Sequence, residues 1–234
     1  VRDLDGEAKI ATVTPAEVDY YTQPVLANAC RLDLPIEEKP APGGRANVGP
    51  ADVTWQTTAF QKVRYYTMEV IGQMELDLPS QTLPTVAFWW TPQEDLVAAL
   101  GRLGLNPIEA MMGLRNLLVA TLPALAMCDR RDISGKVESR NLGRPNLVVY
   151  DRYPGGLGFC QQGYERVEQW LAMAKELVAD CPCSHGCPSC VGIPFLRPPI
   201  HHDPDLHGGY PVPSKAGTIA LLERLDLPAT TEPA

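Results

Sequence analysis

"CPCSHGCPSC", residues 181–190, holds four of the chain's seven cysteines within ten positions. The spacing is C-x-C-x3-C-x2-C: Cys181, Cys183, Cys187 and Cys190. Four thiolates close a tetrahedral shell around zinc, at Zn–S distances of about 2.3 Å and with no open position. Closing that shell from one short segment needs tight turns, and Pro182, Gly186 and Pro188 are residues that make them. A redox centre more often shows a single C-x-x-C opening a helix. An iron–sulfur cluster also takes four thiolates, usually from wider spacings. Structural zinc is the leading expectation, with an iron–sulfur cluster and a redox or disulfide role as open alternatives. His185 in the loop and His201, His202 and His207 beyond it are replacement ligands that four cysteines leave unneeded. His201 and His202 beside Asp203 read as an exposed polar turn before they read as a second metal site. A closed shell is not a catalyst. It supplies folding free energy, so the knot is expected to staple the last helices together.

Outward from the knot, "YERVEQWLAMAKELVAD" (164–180) predicts an amphipathic helix on Val167, Trp170, Leu171, Ala174, Leu177 and Val178. Before it, "NLVVYD" (146–151) reads as a strand and "PGGLGF" as the turn after it. That turn precedes a helix, where backbone amides attract anions, but it lacks G-x-G-x-x-G spacing. A plain turn and a phosphate-touching turn both remain open. Asp151 stands alone, without a carboxylate partner for acid–base work. Further back, "NPIEA" writes a helix start with Asn106 as cap and Pro107 in the first turn. The helix it opens is apolar on nearly every face, which places it at the centre of the fold, and Pro123 should kink or end it. "TPQED" repeats the device with Thr91 as cap. The first third is rich in Val, Thr, Tyr and Trp, as strands are. Asp5-Gly6 signals a two-residue hairpin, Pro24 should stop the run "EVDYYTQPV", and "LPIEEKPAPGGRANVGP" (34–50) reads as a surface loop or linker. After the knot come proline-rich residues 192–213, a short helix through Ile219, Leu222 and Leu225, and a frayed "PATTEPA". No internal repeat is visible.

The 234 residues suffice for one large domain or two small ones. No apolar run approaches the roughly 18 to 20 residues of a membrane helix, and no signal peptide is written at the start. The chain lacks an initiator Met and reads as an excised or processed piece. Cys30, Cys128 and Cys160 read as buried small hydrophobes in a reducing cytoplasm. A net charge of −8 argues against a stand-alone nucleic-acid binder. Residues 102–175 nevertheless carry net +3, concentrated in Arg130, Arg131, Lys136, Arg140, Arg144 and Arg152. That stretch is a candidate phosphate-facing patch or a solvated loop. Asp129 and Asp132 in "MCDRRD" are expected to pair with Arg130 and Arg131. There is no phosphate loop, nucleophile elbow or H-E-x-x-H pair, so no catalytic residue is expected.

The run "VVYDRYPGGLGFCQQGYERVEQWLAMAKELVADCPCSHGCPSCV" (148–191) resembles the C-terminal zinc-binding region of mitomycin-repair type superfamily 2 DNA helicases, which have fungal relatives. A helicase-partner protein of a phage-defence system carries a similar region. The shared pattern is Y-D-x-x-P-G-G-x-G-[FL], an amphipathic helix, C-x-C and G-C-P-S-C-V; "VDYYTQP" (18–24) and "LPALAMCDRRD" (122–132) extend it. The resemblance implies zinc on Cys181, Cys183, Cys187 and Cys190. It also implies a pair of RecA-like motor domains, upstream or in a partner, that hydrolyse ATP and move 3′ to 5′ on single-stranded DNA. The region would brace that motor and line the DNA path, in DNA repair and in the cytoplasm, with no membrane. This chain departs from the pattern in holding no motor motifs and in the length of residues 192–213. The expected fold is α+β: a β-rich accessory subdomain, 1–90, then a mainly helical zinc-binding subdomain, 91–234, with one strand and the knot. The rival readings are a stand-alone zinc-containing scaffold partnering a helicase in phage defence, and an enzyme with an unrecognised site near Asp151.

Overall fold

The structure, a computed structural model, describes residues 1–138, 141–192, 212–225 and 227. An exposed hairpin of β1 (Asp3–Asp5) and β2 (Ile10–Thr12) stands apart from the main sheet. Its loop has four residues where two were expected. The Asp5 carboxylate turns the chain by accepting the N–H groups of Glu7 and Ala8. The main sheet comprises β3 (Tyr20–Leu32), β4 (Glu37–Ala41), β5 (Gly44–Arg64), β6 (Val70–Glu75) and β7 (Gln81–Pro92). Two helices follow, α1 (Glu94–Arg102) and α2 (Pro107–Ala126), then two more strands, β8 (Ile133–Glu138) and β9 (Asn146–Asp151). The chain continues through α3 (Phe159–Glu165), α4 (Val167–Asp180) and α5 (Lys215–Glu223). The sheet is antiparallel in the order β3-β5-β7-β9-β8, with β4 and β6 also on β5. The α+β class, β-rich first and then helical with a four-cysteine cluster, is the one expected.

Strand β7 shows why the layers form. Phe88 and Trp90 point to one face, Ala87 and Trp89 to the other, and all four are buried. A run apolar at every position belongs to a strand covered on both faces. On the first face Ala46, Val48, Phe88, Trp90, Leu147 and Val149 pack beneath the helices. On the second, Cys30, Leu32, Val53, Ala87, Trp89 and Val148 form their own cluster, enclosed by the curl of the sheet. The curl brings β3 toward β8. Asn141 accepts the Leu32 N–H at 3.4 Å and donates to the Leu32 carbonyl at 2.7 Å, while Lys136 donates to the Asn28 carbonyl at 2.7 Å. Polar side chains thus occupy the exposed edge of β3.

Several local expectations change. Pro24 does not stop a strand; it sits within β3 opposite Phe60, and an edge strand tolerates a missing N–H. Residues 34–50 are no loop, because Pro42-Gly43 forms a two-residue turn between β4 and β5, with Gly43 at φ +67°. Thr91 is not a helix cap. It remains in β7, its hydroxyl on the Asn146 side-chain oxygen at 2.6 Å, and α1 begins after Gln93. Asn106 is the cap expected, accepting from the Ile108 N–H. Pro123 lies in the last turn of α2, which runs three residues further and closes with Met127 at φ +50°. The amphipathic helix begins earlier, as α3, and breaks at Arg166 before α4. The second part holds two strands, not one, since "ISGKVE" is β8 and not basic loop. In space β8 and β9 complete the sheet that residues 1–90 begin.

By length and composition α2 could cross a membrane, although no such run was expected. Here it is the central helix, packed against β8, β9, α3, α4 and α5. The Trp170 indole of α4 donates to the Leu118 carbonyl of α2, and its ring lies 5.0 Å from Phe88.

Candidate metal centre

The four predicted cysteines converge. Sγ–Sγ distances are 3.6 Å for Cys181–Cys183 and Cys181–Cys187, 3.5 Å for Cys183–Cys190 and 3.7 Å for Cys187–Cys190. A zinc tetrahedron with bonds of about 2.3 Å has sulfur–sulfur edges of about 3.8 Å. A disulfide would bring two sulfurs to about 2.05 Å. The spacing therefore fits one shared metal ion in the closed four-thiolate shell that zinc takes. Among the described residues no histidine belongs to the cluster, and His185 is exposed. His201, His202, Asp203 and His207 lie outside the described residues, as do most of 192–213 and "PATTEPA".

The turns that gather the sulfurs are local. Both the Cys190 and Gly192 N–H groups donate to the Cys187 carbonyl at 3.0 Å. The Ser189 N–H pulls the Cys187 thiol down to about 7, while burial pushes Cys190 up to about 12. A divalent cation reverses the second effect, because a coordinated thiol is deprotonated outright.

Two residues outside the motif tie the knot to the helices. Lys215, buried at the start of α5, donates to the carbonyls of Cys181 and Cys183, each at 2.6 Å, and lies 3.5 Å from the Cys183 sulfur. Its charge offsets part of the net −2 of zinc with four thiolates. Asn116 of α2 donates to the Val191 carbonyl at 2.6 Å. Sequence reasoning passed over both. The signal for Lys215 was a cation in the first turn of a helix, the unfavourable end of the helix dipole. The signal for Asn116 was a polar residue inside an apolar helix.

The basic residues do not converge in the same way. Arg130, Arg131 and Arg152 are exposed together at one end of β8 and β9, with Arg152 donating to the Arg131 carbonyl at 3.3 Å. Lys136 lies within β8 on the seam with β3. Arg144 is exposed at the far end of β9, about 17 Å away along the strand, where it shares a depression with Arg45, Glu94 and Asp95. Arg140 lies outside the described residues. Asp129 faces Arg131 only loosely, at 3.9 Å, and Asp132 instead accepts the Tyr153 hydroxyl at 2.7 Å.

Asp151 has a structural task. Its carboxylate accepts the N–H groups of Leu157 at 2.6 Å, Phe159 at 3.3 Å and Cys160 at 3.0 Å. Gly156, at φ +74°, lets the chain double back over it; a Cβ there would stand 2.8 Å from Val86. The amides at this helix start that would cradle a phosphate thus hold a carboxylate of the chain itself.

A family model described as the MrfA Zn-binding domain matches residues 114–191. An uncharacterized ATP-dependent helicase of Bacillus subtilis, YprA, is 34% identical over 200 residues, which are 82% of this chain and 26% of that protein. The ATP-dependent helicase HRQ1 of Saccharomyces cerevisiae is 25% identical over 214 residues, 84% of this chain and 20% of its own. A crystal structure of the DUF1998 helicase MrfA bound to DNA superposes with a TM-score of 0.65 at 27% identity, covering 96% of this chain and 28% of that one. The chain therefore spans about a fifth to a quarter of the length of these three helicases.

Proposed function

We propose that this chain, whose zinc-binding region resembles that of the MrfA-type helicases, braces the motor of an ATP-dependent DNA helicase and forms one wall of a single-stranded DNA path. The likeness to DNA-bound MrfA over nearly the whole chain carries the reading. The motor would be a pair of RecA-like domains, in the same polypeptide or a partner, moving 3′ to 5′ in DNA repair in the cytoplasm. Residues 1–90 and 91–234 would divide the labour as accessory and zinc-binding subdomains.

Zinc supplies a fixed tetrahedral tie and no reaction. Through it Lys215 and Asn116 hold α5 and α2 to the end of α4, so the helical layer can move as a rigid block under the motor. Arg130, Arg131 and Arg152 form an exposed cationic patch at one end of β8 and β9, the strands on which α2 packs. With a net charge of −8 the chain alone would hold DNA weakly.

The test reverses Arg130, Arg131 and Arg152 together to Glu in the helicase that contains this chain. Single-strand affinity should fall, and the log–log salt slope should flatten by about 0.7 for each phosphate no longer neutralised. Zinc content and DNA-independent ATPase activity should persist. Normal unwinding of a tailed duplex by the triple variant at low and moderate salt would remove the DNA-path reading and leave bracing alone.

A further inference from the structure

Beneath the seam between β3 and β8 lies a cavity of about 340 Å³, walled by Asn28, Arg115, Ser134, Lys136 and Tyr150 with apolar Ile108 and Met112. We propose that it is a phosphate-binding pocket, taking the phosphate of a free nucleotide or inorganic phosphate, or that of a nucleic-acid strand.

Arg115 carries the inference. It leaves α2 and lies flat across Gly135, where a Cβ would stand 2.8 Å from its Cδ and 2.9 Å from its Cγ. The absent side chain makes room for the arginine stem. One guanidinium nitrogen, Nη1, donates to the Gly135 carbonyl at 3.0 Å. The Nε is buried and has no partner. No Asp or Glu lines the cavity among the described residues. Burial pulls Arg115 down only to about 10, so the group stays charged at neutral pH. A guanidinium has five N–H donors, and a structural tie to one carbonyl uses one of them. The remaining fork suits the paired oxygens of an oxyanion.

The other walls choose phosphate over carboxylate. Lys136 brings a second cation, its ammonium resting on the Asn28 carbonyl. Ser134 and Tyr150 add hydroxyl-bearing side chains. The Asn28 Oδ1 is buried without a partner and wants a donor. A carboxylate brings none, whereas the protonated oxygen of inorganic phosphate or of a phosphomonoester does, and in a strand a base N–H would have to. A volume of about 340 Å³ exceeds a bare ion and falls at the small end of ligand pockets, about 300–1,000 Å³. Ile108 and Met112 give the excess room an apolar side for a sugar or base. The pocket shares no lining residue with the zinc knot or with the exposed cluster of Arg130, Arg131 and Arg152.

The experiment follows the Arg115 Nε–Hε and Asn28 side-chain amide resonances of the zinc-loaded chain during titration with inorganic phosphate, deoxyadenosine monophosphate and a short oligothymidine. Saturable movement of both is expected with at least one probe. Response to the two small probes assigns a free ligand, and response to the oligonucleotide alone assigns a strand. Arg115→Met keeps the stem over Gly135 and should weaken binding about tenfold or more with zinc content unchanged. Ser134→Asp places a carboxylate in the wall and should do the same, which covers the case of a poorly folded Arg115 variant. Resonances still under all three probes, or equal affinity in wild type and both variants, would overturn the pocket.

Discussion

The cysteine knot closes the end of α4 onto α5 with four sulfurs 3.5–3.7 Å apart, whereas the sheet closes β3 toward β8 with an apolar interior and two polar side chains. The knot buries little: of its four cysteines only Cys190 is fully buried. Its strength comes from coordination, concentrated in one ion. The sheet's interior spreads over Trp89, Val148, Leu32 and Val53, and the seam adds hydrogen bonds at the rim. The metal closure should therefore fail all at once when one ligand goes. The sheet closure should lose stability by increments.

Replacing Cys187 by Ser should show the larger effect. Metal analysis should find about one zinc per wild-type chain and essentially none in the variant. Structural zinc is worth about 10–16 kcal/mol in small finger peptides. Here α5 also packs on α2, where Thr218 donates to the Ala110 carbonyl at 3.0 Å, so the loss should appear as loosening of the C-terminal third. Limited proteolysis should cut near α5 while the sheet stays protected. Cys30→Ser, inside the sheet, should keep its zinc and lower stability by about 1–3 kcal/mol. A zinc-free Cys187→Ser protein with an unchanged melting curve and cleavage pattern would end the contrast.

The same contrast decides what was legible in the sequence. The knot's four ligands fall within ten positions, and "NPIEA" carries its own cap and first-turn proline, so both could be read locally. The seam could not, because Asn141 and Leu32 are 109 positions apart. The basic residues on either side of "ISGKVE", with Lys136 inside it, drew that segment toward a loop, while pairing with β9 makes it a strand, and the basic set is thereby divided between two ends. The proline and glycine of residues 40–44 were correct turn signals read as a linker, because the partner strand β5 is itself built of small and polar residues in that part. The Arg115 cavity depends on β3, α2 and β8 meeting, which no local pattern announces.

Lys215 gives the intermediate effect. Its ammonium holds two ligand carbonyls and approaches the Cys183 sulfur. Lys215→Met keeps the stem but removes the charge, and should lower zinc affinity about 10–100-fold, the usual cost of losing a partner behind the ligands. Competition with a chelator of known affinity measures it. Equal zinc retention would show that the lysine only anchors α5, and that the knot needs no outside charge.

Asn141 should give the smallest effect and the sharpest view of the seam. The side chain is exposed, and it makes two hydrogen bonds to Leu32, one of them long at 3.4 Å. Net values for such bonds are about 0.5–1.5 kcal/mol each, and water replaces part of them at an exposed site. Asn141→Ala should therefore cost about 1 kcal/mol and leave zinc untouched. Its more direct signature is local, because the Leu32 N–H loses its acceptor and should exchange faster with solvent than the amides of β7, which are paired on both sides. Asn141→Asp separates the two bonds. A carboxylate still accepts from the Leu32 N–H but cannot donate to the Leu32 carbonyl, so protection of that amide should return while stability stays below wild type. If Ala and Asp both exchange at the wild-type rate, the interior packing of Leu32 and Trp89 closes the sheet unaided. The polar rim would then matter for covering the edge of β3 against pairing with another chain, which the solubility of the alanine variant would report.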